Sequence, residues 1–147
     1  MAFSNTPLAP YLIIKNAAKA IKFYQKIFGF KEIFRLVDDD GKIGHAELKR
    51  GESKLMLADE YLDFQALSPE TVGGTSVTIH LYVGDVDQVV AKAVAAKAIV
   101  LEPAKDQFFG DRSALIQDPF GHKWHLATRK EEISPEEMQK RWDVMVT

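Results

Sequence analysis

Leu12-Ile-Ile-Lys-Asn16 and Leu81-Tyr-Val-Gly-Asp85 stand 69 residues apart and read alike. Each is a short run of strand formers that ends on a residue suited to cap a helix. The residues after each run are also patterned alike. After Asn16, residues Ala17, Ala20, Ile21, Tyr24, Ile27 and Phe28 recur at three- and four-residue steps. After Asp85, residues Val86, Val89, Val90, Ala93 and Val94 do the same. Both patterns predict an amphipathic helix with one apolar face. At the same offset Ala20 falls against Val89 and Ile27 against Ala96.

The pattern extends outward from the helices. Gly29 is suited to close the first helix, because glycine takes the left-handed conformation without strain. Lys31 to Val37, Ile43 to Leu48 and Lys54 to Ala58 then read as three strands, divided by Asp38-Asp-Asp-Gly41 and Arg50-Gly-Glu-Ser53 turns. In the second half Val77 to Val83 is the leading strand. Ala98 to Leu101, Ser113 to Gln117 and Lys123 to Thr128 are the trailing strands, with an Asp118-Pro-Phe-Gly121 turn before the last. The chain thus predicts an α+β fold of tandem βαβββ modules, the first over residues 8–60 and the second over 77–128. One module buries an incomplete face, so two modules in one domain spanning 1–147 are physically sensible. Residues 59–76, with Ser68-Pro69 and Gly73-Gly74, read as a connecting loop. Residues 129–147 form a helical extension: Ser134-Pro-Glu-Glu137 is a capping box, and Met138 and Trp142, four apart, can dock on the body or on a partner subunit.

Bulk properties exclude several classes. The 147 residues are 46% hydrophobic and 27% charged, with a formal net charge of −2. This balance gives no basis for nucleic acid or an anionic membrane as partner. No cysteine is present, which removes disulfides, thiolate metal sites and cysteine nucleophiles. No apolar run approaches the roughly 20 residues needed to span a bilayer. Met1-Ala-Phe-Ser-Asn-Thr-Pro7 lacks the basic and apolar regions of a secretory leader. A cytoplasmic location is the expectation. There is no Gly-x-Ser-x-Gly elbow, no phosphate-binding Gly-x-x-x-x-Gly-Lys-Ser/Thr and no convincing dinucleotide fingerprint.

Ile14-Lys-Asn16, Ala20-Ile-Lys-Phe23-Tyr24, Phe28-Gly29-Phe30, His80-Leu-Tyr-Val83, Asp85-Val86-Asp87, Phe109-Gly-Asp-Arg112 and Asp118-Pro-Phe-Gly-His-Lys-Trp124 occur in this order over residues 8–128. In that order and spacing they resemble the glyoxalase/bleomycin-resistance (vicinal oxygen chelate) superfamily, and within it the PhnB-like branch. The resemblance implies a curved mixed sheet around a cavity and a homodimer. It also implies either of two activities. One is lyase, isomerase or dioxygenase chemistry on a divalent ion that chelates vicinal substrate oxygens. The other is metal-independent sequestration of a small molecule.

The positions matching the superfamily's metal ligands are Ala9, Met56, Thr78 and His125. Only His125 is a good ligand for such an ion. A symmetric four-ligand site is therefore not expected, and no metal is the leading expectation. Strand alternation keeps a lopsided alternative open. Thr78, His80 and Tyr82 share a face, and so do His45 and Glu47 once Ala46 and Leu48 turn toward the helix. His80 and His125 are then candidate ligands for Zn, Ni, Fe or Mn, with Glu47 as a further ligand or a general base. Tyr11, Tyr82 and Phe109 are candidates to stack a ligand. Phe108-Phe109-Gly110 lies at a cavity mouth or packs between modules. Asp111 and Arg112 are expected to pair with each other, and Arg112 as an anchor for an anionic substrate is the sharper alternative. Trp124 is expected in the core. His122 is expected to be exposed and without a role. Asp38-Asp-Asp-Gly41 is too short for a calcium loop and is a hairpin turn.

Overall fold

The computed structural model describes residues 6–147. Met1 to Asn5, within the stretch read against a secretory leader, lie outside the described residues. The chain divides into two compact units at Thr75/Ser76, just after Gly73-Gly74. Each unit is one βαβββ module, as the repeat predicted.

In the first unit β1 (Tyr11–Ile14) leads into α1 (Ala17–Phe28), followed by β2 (Lys31–Val37), β3 (Ile43–Arg50) and β4 (Ser53–Asp59). The sheet order is β1-β4-β3-β2, with β1 parallel to β4 and the other pairs antiparallel. Asn16 caps α1 by accepting from the Lys19 amide, and Gly29 ends it at φ 79°. The six apolar residues read along α1 are all buried. They face Ala46, Leu48, Leu55 and Leu57 of the sheet, each 0–1% exposed. Each large aliphatic chain removed from water there contributes about 1.5–3 kcal/mol. Asp59 joins helix to sheet: its two carboxylate oxygens accept from the Ala17 amide (2.8 Å) and the Ile43 amide (2.7 Å). The connecting loop carries a 3-10 turn (Leu62–Phe64) and a single helical turn, α2 (Pro69–Val72).

The second unit repeats the order with β5 (Thr78–Tyr82), α3 (Val86–Ala95), β6 (Ile99–Asp106), β7 (Asp111–Gln117) and β8 (Lys123–Arg129). Its sheet order, β5-β8-β7-β6, is that of the first. The register reproduces the 69-residue offset: Tyr11 pairs with Met56 in the first unit, and His80 with His125 in the second. Asp85 caps α3 through the Gln88 amide. The helix is less covered than its sequence predicted. Val86 and Ala93 are buried, whereas Val94 is 46% exposed. Strand β6 runs to Asp106, five residues beyond the expected end at Leu101, because it keeps pairing with β7 across two irregularities.

The β7–β8 hairpin turns on a buried carboxylate. Asp118 is 2% exposed. Its Oδ1 accepts from the Phe120 and His122 amides (2.9 and 3.0 Å), and its Oδ2 from the Trp124 indole (2.9 Å). Trp124 is fully buried, as expected for core. His122, expected at the surface, is half-buried, because its amide is drawn in by Asp118. Helix α4 (Pro135–Val146) follows the predicted Ser134 cap and runs four residues past Trp142. Trp142 rests against Phe108, with ring centroids 5.7 Å apart. Among the described residues no helix is long and apolar enough to cross a membrane.

Candidate functional site

Each sheet has a helix-covered face and an opposite face that carries its polar side chains. In the first unit Ala46 and Leu48 point to the helix side, so His45 and Glu47 point away from it, as alternation predicted. Tyr11 on β1 joins them. Its hydroxyl lies 2.8 Å from His45 Nδ1, His45 Nε2 lies 2.8 Å from Glu47 Oε2, and Lys54 Nζ lies 2.8 Å from Glu47 Oε1. The hydrogen bond from His45, and then that from Lys54, holds the Glu47 carboxyl below its ordinary range. Burial, and then the Glu47 charge, pushes the Tyr11 hydroxyl above its ordinary value. Glu47 therefore has both oxygens engaged and is a poor free base. Its geometry suits it to hold His45.

In the second unit His80 and His125 sit side by side in register on β5 and β8. Their Nδ1 atoms are 2.8 Å apart, and His125 Nε2 is 3.0 Å from the buried Ser113 hydroxyl. A nitrogen–nitrogen bond needs one donor and one acceptor, so the two rings cannot both be charged while it persists. Burial first, and then the neighbouring His125, lowers the pKa of His80. The ring of Tyr82 packs edge-on against His80 at 4.7 Å, and Phe109 lies 6.5 Å from the His125 ring.

Tyr82 and Phe109 also line a cavity of about 280 Å³ with Asp111, Arg129, Glu131, Glu132, Ile133 and Met138. Arg129 donates to the Tyr82 hydroxyl (2.9 Å) and lies 3.8 Å from Asp111. The outer wall is the segment after β8, held down by Gly110. The Gly110 carbonyl accepts from the Lys130 and Glu131 amides (2.9 and 3.0 Å).

Arg112 does not join this site. It alternates with Asp111 along β7 and so faces the helix side, where it binds Asp87 on α3 (2.7 Å) and Asp106, its neighbour at the end of β6 (3.2 Å). The expected Asp111–Arg112 pair is not formed for the same reason: neighbouring residues on a strand point to opposite faces. Arg112 has its guanidinium committed to two carboxylates and is not placed to anchor a substrate in the cavity.

The family model of the Glyoxalase/Bleomycin resistance protein/Dioxygenase superfamily matches residues 7–126. The chain belongs to this superfamily. A relative, the uncharacterized protein Mb0911c of Mycobacterium bovis, is 40% identical over 143 residues, covering 95% of this chain and 94% of that one. Protein PA1353 of Pseudomonas aeruginosa shares the superfamily fold at a TM-score of 0.67 and 22% identity, covering 84% of this chain and 98% of the other. The PhnB protein of Bacillus cereus does so at 0.67 and 16%, covering 84% and 99%. At such identities these two structures speak for fold alone.

A divalent ion of the kind the superfamily resemblance implies calls for strong nitrogen or carboxylate donors. Of the four matching positions, Ala9 and Met56 in the first unit offer a methyl group and a thioether, and Thr78 in the second offers a hydroxyl; Tyr11, which pairs with Met56 as His80 does with His125, adds a phenol. The second unit offers two imidazoles and the Ser113 hydroxyl. Catalytic zinc usually takes three strong protein ligands. Among the described residues no group of three His, Cys, Asp or Glu side chains is placed to hold an ion. The donors of neither unit fit that ion.

Sequence reading missed Arg129, Ser113 and Lys54, and it placed Met138 as a docking residue without a part in the cavity. Period-two alternation from His125 through Ala127 points to Arg129, and the same count from Met56 points to Lys54. Ser113 and Met138 carry no such signal, because register and the path of the C-terminal segment place them.

Proposed function

We propose that the chain is a small-molecule binding protein of the glyoxalase/bleomycin-resistance type that works without a resident metal ion. Its ligand would sit in the second module. The observation that carries this reading is the 280 Å³ cavity beside the His80–His125 pair, with Tyr82 and Phe109 belonging to both. That volume lies just below the roughly 300–1,000 Å³ of ligand pockets, which suits a small ligand. Phe109, Ile133 and Met138 suit a flat apolar body. Asp111, Glu131 and Glu132 outnumber the two cations that pair with them, Arg129 and Arg141, which favours a ligand with N–H donors or positive charge over a carboxylate. His80 and His125 would supply one donor and one acceptor at the edge of the site.

Tryptamine and indole-3-acetate are a suitable probe pair, since both carry an indole and differ in the charge at the end of the chain. A ligand at ten times its Kd stabilises the folded state by about 1.4 kcal/mol. For a chain of this size that is about 3–6 °C in Tm. Tryptamine is expected to raise Tm, indole-3-acetate to do so less, and Tyr82→Ala to abolish the effect. No shift with either, or equal shifts that persist in Tyr82→Ala, refutes the reading.

The metal-dependent lyase, isomerase or dioxygenase reading has one supporting observation: two imidazoles on one face. It requires further ligands that the second module does not supply. Placement in the PhnB-like branch and a homodimer complete the proposal. Trp142, Val144, Met145 and Val146 on α4 are all at least 48% exposed, an apolar surface that a partner subunit would cover. Light scattering coupled to gel filtration tests it, and a 16.5 kDa monomer at tens of micromolar would overturn it.

A further inference from the structure

We infer that the first module carries a second, independent site: an acid–base triad in which His45 activates the Tyr11 hydroxyl toward electrophilic acyl compounds and Glu47 positions His45. Residues 34 apart in sequence meet here because β1 and β3 both flank β4, which puts Tyr11 and His45 on the same face.

Proton positions follow from chemistry. Glu47 accepts from Lys54 and is held ionised, so it can only accept from His45. His45 Nε2 must then carry a hydrogen. In the neutral ring Nδ1 is left as a bare acceptor, and the bond to Tyr11 requires the phenol to donate into it. The result is nucleophile, base and orienting carboxylate in hydrogen-bonded order, the arrangement that activates a weak hydroxyl nucleophile. The raised pKa of Tyr11 keeps it protonated at neutral pH, so it needs the base.

The surroundings fit that role. Tyr11 is 46% exposed, so a reagent can reach the side chain. His45 lies between Tyr11 and Phe34, with ring centroids at 5.4 and 5.7 Å. These rings flank its imidazole on two sides. Glu47 and Lys54 are only 14% and 15% exposed at the side chain, so the support beneath His45 is fixed.

The step balances with an activated ester and water. The Tyr11 oxygen attacks the acyl carbon, its proton passes to His45 Nδ1, and a tyrosyl ester forms as the ester C–O bond breaks. The alcohol leaves as its anion, or takes the proton back from His45. Water then adds to the tyrosyl ester, giving one proton to neutral His45, which passes it to the departing Tyr11 oxygen, and the carboxylic acid formed loses its proton to solvent.

The other three tyrosines serve as internal controls. Tyr24 is fully buried, Tyr61 donates to Asp38 and is pushed up to about 12, and Tyr82 accepts from Arg129. The test treats the whole chain with p-nitrophenyl acetate and maps acetylated peptides by mass spectrometry. Acetyl-Tyr11 is expected to form at least about tenfold faster than acetyl-Tyr82, and to slow by about tenfold or more in His45→Gln. Long-range nitrogen–proton NMR of unmodified protein is expected to show His45 with its hydrogen on Nε2, and to lose that preference in Glu47→Gln. This second readout needs neither the His45 variant nor a ligand in the second module. Acetylation of Tyr11 no faster than of Tyr82, undiminished reaction in a folded His45→Gln, or a hydrogen on His45 Nδ1 in the neutral ring overturns the triad. Each of these would do so without bearing on the second-module cavity.

Discussion

Replacing Asp118 with alanine removes the carboxylate around which the β7–β8 hairpin is built. Three donors lose their acceptor: the amides of Phe120 and His122 and the indole of Trp124. All three bonds lie at a residue only 2% exposed, so water replaces the carboxylate poorly. A hydrogen bond to a charged group is worth about 1.5–3 kcal/mol. Three such bonds, discounted for relaxation and for non-additivity, give a loss of about 4 kcal/mol. That corresponds to a fall in Tm of about 8–16 °C. Asp118→Asn should cost less, about 2 kcal/mol, because the amide oxygen can still serve the two backbone donors while its NH2 group cannot accept from the indole. Urea unfolding followed by circular dichroism measures both, and a constant m-value confirms comparable transitions. A loss below about 1 kcal/mol for Asp118→Ala, or equal losses for the two variants, would refute the reasoning. The consequence reaches function. The hairpin sets Leu115 opposite His125 and so brings Ser113 to the His80–His125 pair.

Further outcomes rest on the same geometry. A Cβ added at Gly110 would lie 2.5 Å from the Glu131 carbonyl oxygen, on a backbone with φ 98°. Gly110→Ala should therefore cost on the order of 2–3 kcal/mol and displace the cavity's outer wall, read as a lower urea midpoint and loss of the tryptamine shift. His80 has a folded pKa below its ordinary value of about 6.5, so the unfolded chain binds more protons at mildly acid pH. Its contribution to stability is present above about pH 6.5 and is lost as pH falls through the folded value. The difference in Tm between wild type and His80→Gln should change between pH 7.5 and 5.5 in that sense, and a pH-independent difference contradicts it. Protein purified without a polyhistidine tag should hold far less than one equivalent of Zn, Ni, Fe or Mn by elemental analysis. Added Zn²⁺, Ni²⁺ or Mn²⁺ should leave Tm unchanged, whereas stabilisation that vanishes in His125→Ala would restore the metal-dependent reading.

The scaffold was legible because it is written in local signals. Apolar periodicity, the Asn16 and Asp85 caps and the Asp-x-x-Gly turns each act within a few residues, and two copies of them reinforced one another. Alternation also placed Ala46 and Leu48 toward the helix and His45, Glu47 and His80 away from it. Pairing across strands was harder to read. The Tyr11–His45 contact depends on β4 lying between β1 and β3, which no local pattern encodes. Arg112 was misread because adjacency in sequence stood in for proximity, although a strand separates neighbours onto opposite faces. The cavity escaped for a different reason. Its outer wall is the irregular segment around Glu131–Ile133, whose course is fixed by the Gly110 carbonyl and by Arg141 on α4 binding Glu131 (2.8 Å). Neither contact leaves a periodic trace.

The most direct test of the account is a carbon- and nitrogen-resolved NMR titration of the labelled chain with tryptamine, with indole-3-acetate as the comparison. The account predicts that shifts centre on the Met138 methyl group, Tyr82, Phe109 and the His80 and His125 rings. It also predicts that tryptamine saturates at lower concentration than indole-3-acetate. Shifts centred outside the second module, or spread along the exposed apolar strands without saturation, would contradict it.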